Sequence, residues 1–323
     1  MMMKIEQRQK ETGKRKRAPF AGSRQKDTPP SFLLLPPACE ETLRRATLTL
    51  ADTDAPRLTA EALLSHMLGI TRVQLLSRPK WELPAEALAR FERLIARAAR
   101  GEPLAYLTGH REFYGLDFLV DARVLVPRPE TELLVDLALQ VAATGVAATA
   151  TLQCPLHILD VGAGSGCIAV TLAVKLPAAH ITAVDISPEA LALARLNAER
   201  HSVAGRITFV QSDLLSNLPP PLTNYHLLLA NLPYIPSAEL RRLPVADHEP
   251  GLALDGGLDG LALIRRLLEE APQVMSPQGR LLLEIGAAQG EAAAALARAA
   301  FPGAQVSIHK DLAGLDRILA VAL

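Results

Sequence analysis

From residue 156 to the end of the chain, apolar runs of strand length alternate with stretches of helix length. Leu156–Val161 reads as a strand, Gly166–Leu176 as a helix, and Ile181–Val184 as a strand ending on Asp185. Ser187 and Pro188 are a cap and first-turn pair for a helix to about Arg200. Strands at Ile207–Val210 and Tyr225–Ala230 follow, then a helix over Leu258–Met275, a strand over Arg280–Ile285 and a helix over Ala288–Ala300. Parallel neighbours need long crossovers, so this alternation predicts an α/β domain with a mostly parallel sheet covered on both faces. The last two strands, near Val306–His309 and Arg317–Val321, are joined by a short loop and predict an antiparallel edge.

Upstream, the periodicity changes to that of short helices. Leu43, Ala46 and Leu50 recur at helical spacing until Pro56 interrupts. Thr59 is a candidate cap for a helix holding Ala62, Leu63 and Met67, which Gly69 ends; Thr71–Leu76 is a third segment. Pro84 opens a longer helix with Leu88, Phe91, Leu94, Ile95 and Ala98 on its buried face. Residues 37–101 therefore form a helical recognition domain. Residues 102–127 form a linker with a hairpin, whose strands are Phe118–Val120 and Val124–Val126. Residues 128–323 form the larger domain, with alanine-rich 141–153 as a loop.

The formal net charge is zero, so no global field argues for nucleic acid. That balance conceals a basic tail: residues 1–30 carry nine Lys/Arg against three acids. The tail, taken as residues 1–36, has no apolar periodicity and reads as disordered. Cys39, Cys154 and Cys167 are too scattered for a disulfide framework or a metal site, which points to a reducing, cytoplasmic setting. No apolar run approaches the ~20 residues of a membrane span.

Three strand ends carry chemistry. Gly162-Ala163-Gly164-Ser165-Gly166 lies between a strand and a helix, where glycines permit a tight turn and a close ligand. Cys167 stands where the dinucleotide fingerprint requires glycine, so that motif is excluded. Asp185 ends the second strand, where a carboxylate accepts both hydroxyls of a ribose; it also suits the start of the following helix as a charge. Asp213, followed by Leu214, is placed to meet an adenine edge or to be an ordinary loop acid. After the Tyr225–Ala230 strand comes Asn231-Leu232-Pro233-Tyr234. Asn231, with the Leu232 or Pro233 carbonyl, can accept both hydrogens of an –NH₂ group, and Tyr234 can stack on that planar group. A proline-rich turn after a strand is the alternative.

The Gly-rich turn with Asn231-Leu232-Pro233-Tyr234 resembles class I S-adenosylmethionine-dependent methyltransferases that act on planar nitrogen. Further elements resemble the release-factor glutamine methyltransferases (PrmC/HemK type). These are Glu102-Pro103-x-x-Tyr106-x-x-Gly109, Phe113-Tyr114-Gly115, Pro127-Arg128-Pro129-Glu130-Thr131-Glu132 and His248-Glu249-Pro250 before Ala253-Leu254. The resemblance runs from about residue 40 to the C-terminus. It implies a Rossmann-like methyltransferase sheet and a small all-helical N-terminal domain, joined by a β-hairpin. It implies S-adenosyl-L-methionine as cofactor, held by Gly162 to Gly166 and Asp185, with Asp213, Leu214 and Asn231 beside it. It implies that Asn231, Leu232, Pro233 and Tyr234 hold the glutamine of the Gly-Gly-Gln loop of class 1 peptide chain release factors, and that the helical domain contacts that partner. Asn231, Pro233 and Tyr234 are the expected catalytic residues, with no metal, and a monomer is the default.

Two residues depart from the family pattern. Leu232 replaces the first proline of Asn-Pro-Pro-Tyr, and Asn-Leu-Pro-Tyr also resembles rRNA adenine dimethyltransferases. Leu214 stands where an aromatic often follows the third-strand acid, leaving only an apolar wall for adenine. An adenine N6-methyltransferase on rRNA or DNA is therefore one alternative. A ribosomal-protein glutamine methyltransferase and a non-catalytic nucleoside-binding protein are others. No general base stands out beside the tetrapeptide, so orientation is expected to dominate catalysis.

Overall fold

The structure, a computed structural model, describes residues 38–146, 156–218 and 224–323. The basic tail and Cys154 lie outside the described residues, as does most of the alanine-rich loop. The N-terminal unit contains α1 (Cys39–Thr49), α2 (Pro56–Leu68), α3 (Arg72–Leu76), α4 (Ala85–Ala98) and α5 (Leu104–Thr108). Leu43, Leu50, Leu63, Leu64, Phe91 and Ile95 close its core. The second helix starts at Pro56 rather than at a Thr59 cap. Proline lacks an N–H that the first helical turn leaves unpaired anyway, so it begins the helix that its presence had suggested it would interrupt. Thr71 and Gln74 form a reciprocal capping box at the start of α3.

The hairpin sits one strand earlier than expected. It pairs β1 (His110–Phe113) with β2 (Leu116–Leu119) around Tyr114-Gly115, both at positive φ (54° and 76°). Two left-handed residues make the turn whose twist matches that of the flanking strands. Val124-Leu125-Val126 pairs with no strand. Val124 and Val126 are buried in a cluster with Ala190 and Leu193 of the following domain. Their apolar character reports that packing, not a ladder.

The larger domain runs α6 (Glu132–Val141), β3 (His157–Val161), α7 (Cys167–Lys175), β4 (His180–Asp185), α8 (Pro188–Arg200), β5 (Ile207–Gln211), β6 (Tyr225–Ala230) and α9 (Ser237–Leu240). It continues through α10 (Ala262–Glu270), β7 (Met275–Glu284), α11 (Gly290–Ala300), β8 (Gln305–Lys310) and β9 (Asp316–Ala322). The sheet order is β5-β4-β3-β6-β7-β9-β8, with the first five strands parallel and the expected antiparallel edge at the end. The helix expected over Leu258–Met275 is shorter at both ends. Gly257 and Gly260 hold positive φ before it, and Pro272 follows it. Apolar clusters fill both faces of the sheet. The order reverses between β3 and β6, so the turn after β3 and the segment after β6 share one crevice, with Val161 opposite Ala230. Among the described residues no helix is long and apolar enough to cross a membrane, and no cluster of three metal-ligating side chains occurs.

Candidate active site

The crevice is a cleft whose floor is the Gly-rich turn. Gly162 and Ala163 donate their N–H groups to the Val184 carbonyl, each at 2.9 Å, which ties the turn to β4. Gly162, Gly164 and Gly166 all hold positive φ. A Cβ on Gly162 would lie 3.2 Å from Leu232 Cδ2, so the turn and the tetrapeptide are close neighbours and a side chain at 162 would crowd Leu232. Gly162, Ala163, Gly164 and Ser165 line the cleft. Gly166 stands behind it, where a Cβ would be 3.0 Å from that of Ala194; its absence lets α7 pack on α8. Asp160, fully buried before the turn, accepts the Ala169 N–H, and burial pushes its carboxyl up to about 7.

Asp185 lines the cleft with its carboxylate already oriented. Oδ2 accepts the Gly164 N–H at 2.8 Å and Oδ1 the Ser187 N–H at 2.9 Å. Each oxygen retains a lone pair for a ligand. Burial raises its pKa from the ordinary value, opposed by those N–H donors. Asp213 is half-exposed at the rim and paired with Arg266 at 3.0 Å. Leu214, buried and at φ 49°, supplies the apolar wall beside it.

Asn231, Leu232 and Pro233 line the opposite side. Leu232 is buried against the Gly-rich turn. The Pro233 carbonyl lies against Gly256, where even a Cβ would come within 2.8 Å. Asn231 donates through Nδ2 to Thr131 Oγ1 at 3.0 Å, and Thr131 donates to Glu284 Oε2 at 2.7 Å. Tyr234 stands outside the cleft lining, its hydroxyl 3.4 Å from Glu284 Oε1, too far for a strong bond. Burial pushes Tyr234 up to about 12 and Glu284 up to about 7.

Sequence reasoning passed over two contributions. Glu284 ends a buried strand with a carboxylate, the same signal that marked Asp185. The linker and the 231–257 loop supply walls: Arg123, Val124 and Pro127 from one, Pro250, Leu252 and Ala253 from the other. Arg128 and buried Glu249 join them at 2.6 Å, and Glu249 also accepts the Val126 N–H at 3.0 Å. His248 is a loop residue, bonded through Nε2 to the Arg100 carbonyl of the helical domain at 2.9 Å.

Residues 41–109 match the family model of the PrmC N-terminal domain, and residues 158–244 match that of a methyltransferase domain. A release factor glutamine methyltransferase of Moorella thermoacetica is 44% identical over 87% of this chain and 95% of its own length. One of Koribacter versatilis is 44% identical over 74% of this chain and 82% of its own. The solved hMettl16 catalytic domain, in complex with MAT2A 3'UTR hairpin 6, is 14% identical. It superposes with a TM-score of 0.50, covering 73% of this chain and 81% of that one, which bears on the fold alone. Similarity at that level through both domains decides the lineage: the chain belongs to the release factor glutamine methyltransferase family.

Proposed function

We infer that this protein transfers a methyl group from S-adenosylmethionine to the side-chain amide nitrogen of the Gly-Gly-Gln glutamine of a class 1 release factor. The observation that carries the reading is the contact between the Gly-rich turn and Asn231-Leu232-Pro233-Tyr234 at the switch point, within a chain whose relatives bear that name. The cleft suits the cofactor: side-chain-free backbone at Gly162 and Gly164, an oriented Asp185 carboxylate, an acid at the rim and an apolar wall at Leu214. When bound, the cofactor supplies an electrophilic methyl on sulfonium. Gly162 to Ser165 hold its chain and Asp185 its ribose. Asp213 and Leu214 hold the adenine.

The amide nitrogen is a poor nucleophile, because its lone pair is delocalised into the carbonyl. Asn231 Oδ1 and the Leu232 or Pro233 carbonyl accept its two hydrogens. They hold it in line and stabilise positive charge as that charge grows on nitrogen, and the one proton the methylated amide must lose passes to solvent. Pro233 stiffens the turn, and Tyr234 bounds the substrate's planar face. Both walls of the cleft come from one chain, so a monomer suffices, and the helical domain is the surface offered to the release factor. A translation factor as substrate supports a cytoplasmic location.

The test is incubation with methyl-labelled S-adenosylmethionine and a class 1 release factor, a large-subunit ribosomal protein or rRNA. Label should enter the release factor and disappear when its Gly-Gly-Gln glutamine is changed. Label on rRNA adenine would overturn the substrate in favour of the reading that Leu232 suggests. Replacing Asp185 by alanine should raise the Kd for S-adenosylmethionine roughly 10–100-fold, since bonds to a charged group contribute about 1.5–3 kcal/mol. Calorimetric titration checks this, and an unchanged Kd would remove Asp185 from the binding set.

A further inference from the structure

We propose that Thr131 and Glu284 are positioning residues: through one directed hydrogen-bond relay they turn the Asn231 carboxamide so that its oxygen, not its –NH₂, faces the substrate. The proposal rests on the proposed glutamine or –NH₂ substrate, and deepens it. The two ends of an asparagine amide are alike in shape, and only its partners decide which end points where. An ionised carboxylate accepts and cannot donate. Thr131, 2% exposed, therefore gives its one proton to Glu284 at 2.7 Å. Its oxygen is left as an acceptor, and the Asn231 group 3.0 Å away must present N–H to it. Oδ1 then points away from Thr131, and among the described residues it accepts no hydrogen bond. An –NH₂ substrate needs that free acceptor; the flipped amide would set donors against donors.

The relay has a second state. A protonated Glu284 donates to Thr131, whose proton then turns toward residue 231 and favours the amide's oxygen there. The –NH₂ would now face the substrate. Burial raises the pKa of Glu284 to about 7. The groups facing it are Thr131 and Glu130 from the turn before α6, Tyr234 after β6, Arg317 of β9 and Cys167 of α7. Arg317 favours its charge and Glu130 opposes it. Because the folded pKa is raised, the productive orientation is present above about pH 7 and is lost as pH falls through it.

The experiment compares wild type with Thr131→Val, Thr131→Ser and Glu284→Gln. Steady-state kcat and KM on the release factor are measured across pH, with calorimetric Kd for S-adenosylmethionine. A ¹⁵N–¹H spectrum of the Asn231 side-chain amide without substrate is recorded in parallel. Thr131→Val should lower kcat roughly 100-fold with the cofactor Kd within about twofold, and Thr131→Ser should recover most of it. The Asn231 amide signals should titrate near pH 7 in wild type and stay fixed in Glu284→Gln, whose acid limb in kcat also flattens. Wild-type kcat in Thr131→Val would overturn the relay. So would a Thr131→Ser as impaired as Thr131→Val, or amide signals in Glu284→Gln that titrate as in wild type. Should Thr131→Val not fold, the serine variant and the Glu284→Gln spectrum decide. Because the spectrum needs no substrate, a wild type that methylates no release factor would overturn the substrate while the relay is still judged.

Discussion

Asn231→Ala should lower turnover roughly 100–1,000-fold while leaving the affinity for S-adenosylmethionine within a few-fold of wild type. The asparagine supplies the one side-chain acceptor at the strand end that faces the cleft, and its Nδ2 is committed to Thr131. Removing a single preorganised group that stabilises developing charge costs roughly 10²–10³-fold in kcat. The loss falls on kcat and kcat/KM together, because the interaction strengthens as charge grows on nitrogen. In the proposed reading, cofactor affinity rests on the Gly-rich turn and Asp185, which are anchored by their own hydrogen bonds to β4 and α8 rather than by Asn231. Single-turnover methylation of a release factor and calorimetric titration of the cofactor separate the two effects. Asn231→Asp is a sharper comparison: it keeps acceptors but loses the N–H given to Thr131, so the new carboxylate competes with Glu284 for one hydroxyl proton. It should be impaired nearly as much as alanine. Turnover near the wild-type rate in either variant would sink the assigned role.

Those residues were legible in the sequence because each follows directly on an apolar run. A strand's end fixes where its next residue goes, so Asp185 and Asn231 reach the cleft through local geometry alone. The strand–helix alternation likewise made the parallel sheet and its antiparallel edge readable. Pairings distant in sequence were not readable. Thr131 meets Glu284 153 positions later, and Val126 meets Glu249 123 positions later. No local pattern records such partners. Val124 to Val126 misled because a short apolar run arises equally from a ladder or from burial against another domain. The first half of β7 was hidden by Ser276, Pro277 and Gly279, which are poor strand formers. Met275, at its start, pairs with Tyr225 of β6 before a shift in register, and β9 joins only from Arg280 onward.

Glu249→Ala should damage both stability and cofactor binding, which distinguishes it from every substitution at the tetrapeptide. Its carboxylate is 5% exposed and satisfies two partners, the Arg128 guanidinium at 2.6 Å and the Val126 N–H at 3.0 Å. Truncation leaves a buried backbone donor without a partner, at about 1–3 kcal/mol. Breaking a fully buried ion pair costs about 3–5 kcal/mol. Arg128 keeps 36% of its side-chain surface exposed, so water recovers part of its loss. The balance is about 3 kcal/mol, a fall of roughly 4–5 °C in Tm for a chain of 323 residues. The functional effect follows from what the pair joins. Arg128 and Val126 belong to the segment before α6, and Glu249 precedes Pro250, Leu252 and Ala253, which close the cleft from the other side. Without Glu249 that wall is released from the linker, and Kd for S-adenosylmethionine should rise about tenfold or more, since bonds to charged groups contribute about 1.5–3 kcal/mol. Glu249→Gln can still accept the Val126 N–H but turns an –NH₂ toward Arg128, so it should fall between wild type and alanine on both measures. Differential scanning calorimetry with cofactor titration reads both effects. An alanine variant with wild-type Tm and Kd would show that the 231–257 loop holds its place by apolar packing alone.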